Sequence, residues 1–169
     1  SYVSPFEVDI DIIAELVVPR IISKKPVGDY AERILNNLAK HFQIAQGIFY
    51  LKNVETEKFE SLCTYAFNSE KGPSAFKIGE GIPGQVAKNK TILNLREIPE
   101  NYLNIQSGLG DAPPRNILFL PLLLNKETIG IIEIATFHAI DGETEWTLKN
   151  LAKIIGNAII TKTKTGSQV

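Results

Sequence analysis

The apolar residues of this chain change period twice, and that double change restricts its fold more than any other feature. Phe6, Ile10, Ile13 and Val17, then Ile34, Leu35, Leu38, Ala39 and Phe42, recur every three or four positions, the spacing of helices with one apolar face. After Gln46-Gly47 the helical period stops. Stretches 48–53 and 58–67 are rich in aromatic and aliphatic residues and flank the polar turn Glu55-Thr56-Glu57, which reads as a β-hairpin. A second strand pair, 116–124 and 128–137, flanks Asn125-Lys126-Glu127. The helical period then returns in Leu148, Leu151, Ala152, Ile155, Ala158 and Ile159. Helices at both ends of an antiparallel sheet make an α+β layer architecture.

Local signals set the expected boundaries. Ser4 caps the first helix, with Pro5 at its first position and Glu7 three residues after the cap; Pro19 ends it. Asp29 caps the second helix with Glu32 as the return partner, and Asp141 caps the last. Phe76-Lys77-Ile78 reads as a short strand, 84–88 as a short helix and 91–95 as another short strand. Residues 97–115, with three prolines and two glycines, read as one long loop, a length that is usually functional inside a compact domain.

Composition removes several functions. The 18 basic and 19 acidic residues are scattered, so there is no basic stripe for nucleic acid. Cys63 is the only cysteine, which rules out a disulfide framework or a cysteine-rich zinc site within the chain. No apolar run approaches the roughly 20 residues of a membrane helix, and no signal peptide is visible; we expect a cytoplasmic protein with no membrane contact from this segment. The absence of methionine suggests a piece of a longer protein. His41 and His138 have no clustered partners, and neither a Ser-His-Asp order nor a carboxylate pair stands out, so we expect no enzyme.

Three stretches together resemble one family. Ile78-Gly79-Glu80-Gly81-Ile82-Pro83-Gly84-Gln85-Val86-Ala87 is similar to the central signature of GAF domains. Phe119-Leu120-Pro121-Leu122 followed by Glu127-Thr128-Ile129-Gly130-Ile131-Ile132-Glu133-Ile134 resembles the last two strands of that family, and 148–160 its C-terminal helix. The insert at 107–115 resembles bacterial signal-transduction members. The resemblance implies a GAF-like, PAS-related sheet of about six strands, with terminal helices on one face and a ligand cavity on the other, roofed by the short helix and the long loop. It implies an N-terminal signalling or dimerisation helix over 1–28, the GAF domain over 29–162 and a frayed tail over 163–169. It further implies a regulatory sensor for a small molecule, a homodimer through terminal helices, and an output domain such as a histidine kinase or cyclase. A structural dimerisation module with a collapsed cavity is the alternative.

Within that layout Glu133 is the most informative residue, because it interrupts an apolar strand and a buried carboxylate needs a partner or water. Strand alternation groups Ile131, Glu133, Ala135 and Phe137 on one face, expected toward the cavity; either a ligand or a structural pairing with Arg115 or a loop amide would satisfy the charge. Phe119 and Ile117 are expected beside it on the adjacent strand, as core or as ligand contacts. Tyr102, Ser107, Asp111 and Arg115 offer polar groups from the loop, and Ile82 and Gln85 complete the expected lining. Arg115 could grip a carboxylate or phosphate, or serve only as a loop anchor. Gly79, Gly81 and Gly84 have dinucleotide-loop spacing but no parallel βαβ unit around them and no Lys-Ser/Thr ending. GAF relatives that reduce free methionine sulfoxide need several cysteines, and bilin-binding relatives need one that is missing after 95–99. Asn89-Lys90 is only a fragment of the cyclic-nucleotide pattern. No cofactor is identified: covalent bilin and zinc lack support, and haem on a lone histidine stays open.

Overall fold

The structure, a computed structural model, describes residues 8–107 and 110–166. The two strong C-terminal apolar runs form its centre. Strands β6 (Asn116–Leu124) and β7 (Glu127–Thr136) pair antiparallel, and β7 also pairs with β1 (Gln46–Lys52). β2 (Phe59–Tyr65) closes one edge and the three-residue β3 (Leu93–Leu95) the other, giving the order β2-β1-β7-β6-β3. Among the described residues the sheet has five strands, in keeping with the expected count of about six; the expected strand at Phe76 is only a bridge to Phe59. The long loop holds a separate hairpin of β4 (Ile105–Ser107) and β5 (Gly110–Ala112).

Helices α1 (Ile10–Val17), α2 (Val27–Phe42) and α4 (Gly142–Gly166) lie on one face. Leu118, Leu120, Leu122, Ile132 and Ile134 of the sheet meet Ile34, Leu35 and Leu38 of α2 and Leu148, Leu151, Ile155 and Ile159 of α4. α3 (Gly81–Asn89) lies on the opposite face, tied to β7 where the Thr128 hydroxyl donates to the Ala87 carbonyl at 2.6 Å.

Several boundaries differ from expectation. The start expected at Ser4, Pro5 and Glu7 lies outside the described residues; α1 begins at Ile10, where the Asp9 carboxylate accepts from the amides of Asp11 and Ile12. α2 begins at Val27, after Pro26 and without a side-chain cap. Asp29 therefore sits inside the first turn, where a carboxylate suits the helix dipole. α3 starts at Gly81 rather than Gly84. β7 ends at Thr136, leaving Phe137 off the strand face and 48% exposed. α4 does carry the expected Asp141 cap, through the Thr144 amide at 2.8 Å, but it continues to Gly166, past the point where a frayed tail was expected. Its last turns are anchored by Lys162, 1% exposed, whose Nζ donates to the carbonyls of Ile22 at 2.6 Å and Ser23 at 3.2 Å.

Candidate functional site

Glu133 stands in the middle of β7, paired with Ile48 of β1 on one side and Phe119 of β6 on the other. Alternation sends Ile132 and Ile134 to the helices and Glu133 away from them, with Ile131 and Ala135. The carboxylate is 6% exposed within a layer of Ile48, Tyr50, Ile117 and Phe119. Tyr102 reaches it from the segment between β3 and β4, its hydroxyl donating to Glu133 Oε1 at 3.3 Å. A turn in which the Tyr102 amide donates to the Pro99 carbonyl, with Asn101 left-handed, aims that ring inward.

A hollow of about 480 Å3 opens above the carboxylate. Ile48, Tyr50 and Glu133 form its floor. Phe67, Pro73 and Phe76 of the segment after β2, Glu80, Ile82 and Pro83 at the head of α3, and Tyr102 and Leu103 form its walls. The aromatic wall is ordered: Tyr50 meets Phe76 edge-on at 4.9 Å, and Phe76 stacks on Phe59 at 5.1 Å. The head of α3 can lie this close because of Gly84. A Cβ there would stand 2.6 Å from the Lys77 carbonyl oxygen, and the Gly79 amide donates to the Gly84 carbonyl at 2.8 Å.

Burial decides the electrostatics. Removal from water pushes the Glu133 carboxyl up to about 7, against the downward pull of the Tyr102 hydrogen bond. Burial, and then the nearby Glu133 charge, raise the phenols of Tyr50 and Tyr102, so both remain neutral donors. The site thus presents a desolvated carboxyl poised to hold or release a proton, two phenols and aromatic faces.

Of the residues expected at the site, Glu133, Tyr102 and Ile82 meet around the hollow. Phe119, Ile117 and Ala135 lie beneath it as fully buried packing. Arg115 and Asp111 are exposed, and the partner of Glu133 is Tyr102, not Arg115. Gln85 is also exposed; its amide donates to the Gly79 carbonyl at 3.1 Å, outside the walls. The side chain of Ser107 lies outside what is described. Of the roof expected from the short helix and the long loop, the head of α3 and Tyr102-Leu103 line the hollow; the segment after β2 supplies the rest of the wall, and the β4–β5 hairpin contributes Ile105 to the apolar layer. Tyr50 and Ile48 were missed, although their alternation in 48–53 was visible; what was lacking was the placement of that strand against β7.

Other groups lie elsewhere. Cys63 packs toward the helix-side core, and burial, then Glu32, push its thiol up to about 12, which makes it a poor nucleophile. Among the described residues no three metal-ligating side chains gather. A groove of about 470 Å3 between α4 and the end of β6 has a polar rim of Lys90, Thr91, Lys149, Lys153 and Asn157, all exposed. It lacks the inward-pointing buried polar group that distinguishes the Glu133 hollow.

Comparison with known proteins places this geometry. The sequence model of the GAF domain matches residues 25–160. The GAF domain of a phosphoenolpyruvate-protein phosphotransferase from Coxiella burnetii is 20% identical, with TM-score 0.72 and 94% of each chain covered. The corresponding domain from Acinetobacter is 14% identical, with TM-score 0.71 and 92% of each chain covered. Free methionine-R-sulfoxide reductase from Neisseria meningitidis, solved in complex with its substrate, is 16% identical, with TM-score 0.69, 92% of this chain and 88% of that chain covered. At such identities the likeness is one of fold. No curated protein sequence matches the chain.

Proposed function

We propose that this chain, which belongs to the GAF domain family, is a regulatory module that binds a small molecule in the Glu133 hollow and catalyses no reaction. GAF domains are typically sensory or regulatory parts of signalling proteins. The observation that carries the reading is the carboxylate itself: 6% exposed, in an apolar layer, facing open space. Such a group costs stability unless something compensates it, and a cavity of a few hundred Å3 with a few convergent polar groups is the usual form of a ligand site. Against catalysis stands the position of Cys63, which packs toward the opposite face with a raised pKa.

The route for a signal is short. β1 and β7 floor the hollow on one face, with β6 packed beside β7, and β6 and β7 contact α2 and α4 through the other. Occupancy that shifts these strands changes helix packing, provided the ligand prefers one of two states. Ile12 and Leu16 of α1 are each 59% exposed, which supports a homodimer through the terminal helices; an attached output domain, such as a kinase or cyclase, and a cytoplasmic setting complete the reading. Among the described residues no helix is long and apolar enough to cross a membrane.

The test is a fragment screen followed by amide NMR shifts. We expect hits to perturb β1, the centre of β7 and 101–103 together. A screen in which no fragment moves these amides at millimolar concentration would leave the alternative, a purely structural dimerisation module; light scattering on Leu16→Lys then reports whether α1 forms the dimer.

A further inference from the structure

We propose that the ligand of the hollow is an organic cation, a primary ammonium on an apolar body, with the nitrogen seated against Glu133. The inference rests on the reading that the hollow is a ligand site and names its chemistry. Charge comes first. Among the described residues the lining holds two carboxylates, the buried Glu133 and the exposed Glu80, whose Oε2 accepts from the Lys77 amide, and no lysine, arginine or histidine. An anion seated against the desolvated Glu133 would meet like charge once that carboxyl is ionised, with no cationic side chain among the described lining residues to offset it; a cation meets its complement.

Geometry sharpens the class. Tyr102 donates to Oε1 of Glu133, and a carboxylate has about four acceptor positions, so this one bond leaves acceptor capacity on a group that lines the hollow. An N–H donor can use that capacity, whereas a quaternary nitrogen cannot. The rings of Tyr50, Phe76, Phe67 and Tyr102 line the same space, and aromatic rings are the side chains that attract organic cations. Ile48 and Ile82 provide the apolar surface for the rest of the molecule.

Binding should be linked to protons. With its carboxyl near 7, Glu133 is largely protonated in mildly acidic solution when the hollow is empty, and an ammonium favours the ionised form. The ionisable groups facing it are Tyr50 from β1, Tyr102 from the β3–β4 segment and Glu80 at the head of α3; the phenols stay neutral throughout this range.

Three probes of nearly equal shape test the class: 3-phenylpropylamine, 3-phenylpropan-1-ol and 3-phenylpropionate, titrated by calorimetry and amide NMR. The amine should bind at least about ten-fold tighter than the others at pH 8, and about ten-fold tighter at pH 8 than at pH 6, as expected for a group titrating near 7. Glu133→Gln, checked for native folding by circular dichroism, should erase both the preference and the pH dependence while still accepting the alcohol. The wild-type pH series serves as a second readout should that variant fold poorly. Equal or tighter binding of the alcohol or the propionate at these amides overturns the cation and leaves the ligand site standing. Failure of all three probes to move the amides overturns both.

Discussion

On one side of the sheet, Leu118, Leu120, Leu122, Ile132 and Ile134 meet α2 and α4 through aliphatic side chains. On the other, β7 carries a carboxylate between β1 and β6, and two tyrosines and the head of α3 leave space above it. The helix face is dense apolar packing, which is what offsets the conformational entropy of folding. The hollow face keeps a group whose desolvation is unfavourable. Stability and recognition are therefore separated by the thickness of one sheet, and alternate residues of β7 serve one or the other.

The contrast can be broken most strongly from the helix side. Leu120→Ala removes a side chain 1% exposed and should cost about 2–5 kcal/mol in urea unfolding, with ligand affinity unchanged in the folded fraction. Glu133→Gln should do the reverse. The folded carboxyl titrates near 7, above its ordinary 4.5, so the native state holds its proton longer than the unfolded one. The contribution of this group to stability is greatest below 4.5 and is lost as pH rises through 7. The glutamine variant should lose that slope and gain roughly 1–3 kcal/mol at pH 8, with little change at pH 4; equal pH slopes in variant and wild type would contradict a desolvated Glu133.

Smaller effects sharpen the comparison. Lys162→Ala strips donors from the Ile22 and Ser23 carbonyls and should cost about 1–3 kcal/mol, with faster hydrogen exchange at 20–26 and no change at 101–103. Tyr102→Phe should alter stability by less than about 1 kcal/mol, the net worth of one weak hydrogen bond. Because that bond lowers the Glu133 pKa, the carboxyl resonance should titrate above its wild-type midpoint in carbon NMR. Arg115→Ala and Gln85→Ala, both at exposed positions, should stay within about 0.5 kcal/mol and leave binding unchanged.

Much of the architecture was legible because periodicity is a local property. Alternation in 128–136 was enough to separate Glu133 from Ile132 and Ile134, but the turn alone did not set Phe119 opposite Glu133: Leu124 pairs with Glu127, and a register shift between Leu122 and Leu123 moves the later pairs by one residue. Helix starts were less legible: Asp29 looked like a cap, yet the cap position is Pro26, three residues earlier, and Val27 packs against the core. Polar loop residues misled most. Arg115 and Asp111 have the right chemistry, but nothing in their own neighbourhood in the chain says whether they point inward, and both are exposed.

The sequence by itself determined the α+β layout, the family and the face on which Glu133 lies, since each follows from residue spacing within one or two elements. Only the tertiary structure decided that β1 stands beside β7 and brings Tyr50 and Ile48 to the site, that Tyr102 is the partner of the carboxylate, that the segment after β2 walls the hollow, and that Lys162 bonds the carbonyls of Ile22 and Ser23. Those facts depend on contacts between residues far apart in the chain, chosen by how whole elements pack together, and no local pattern records that choice.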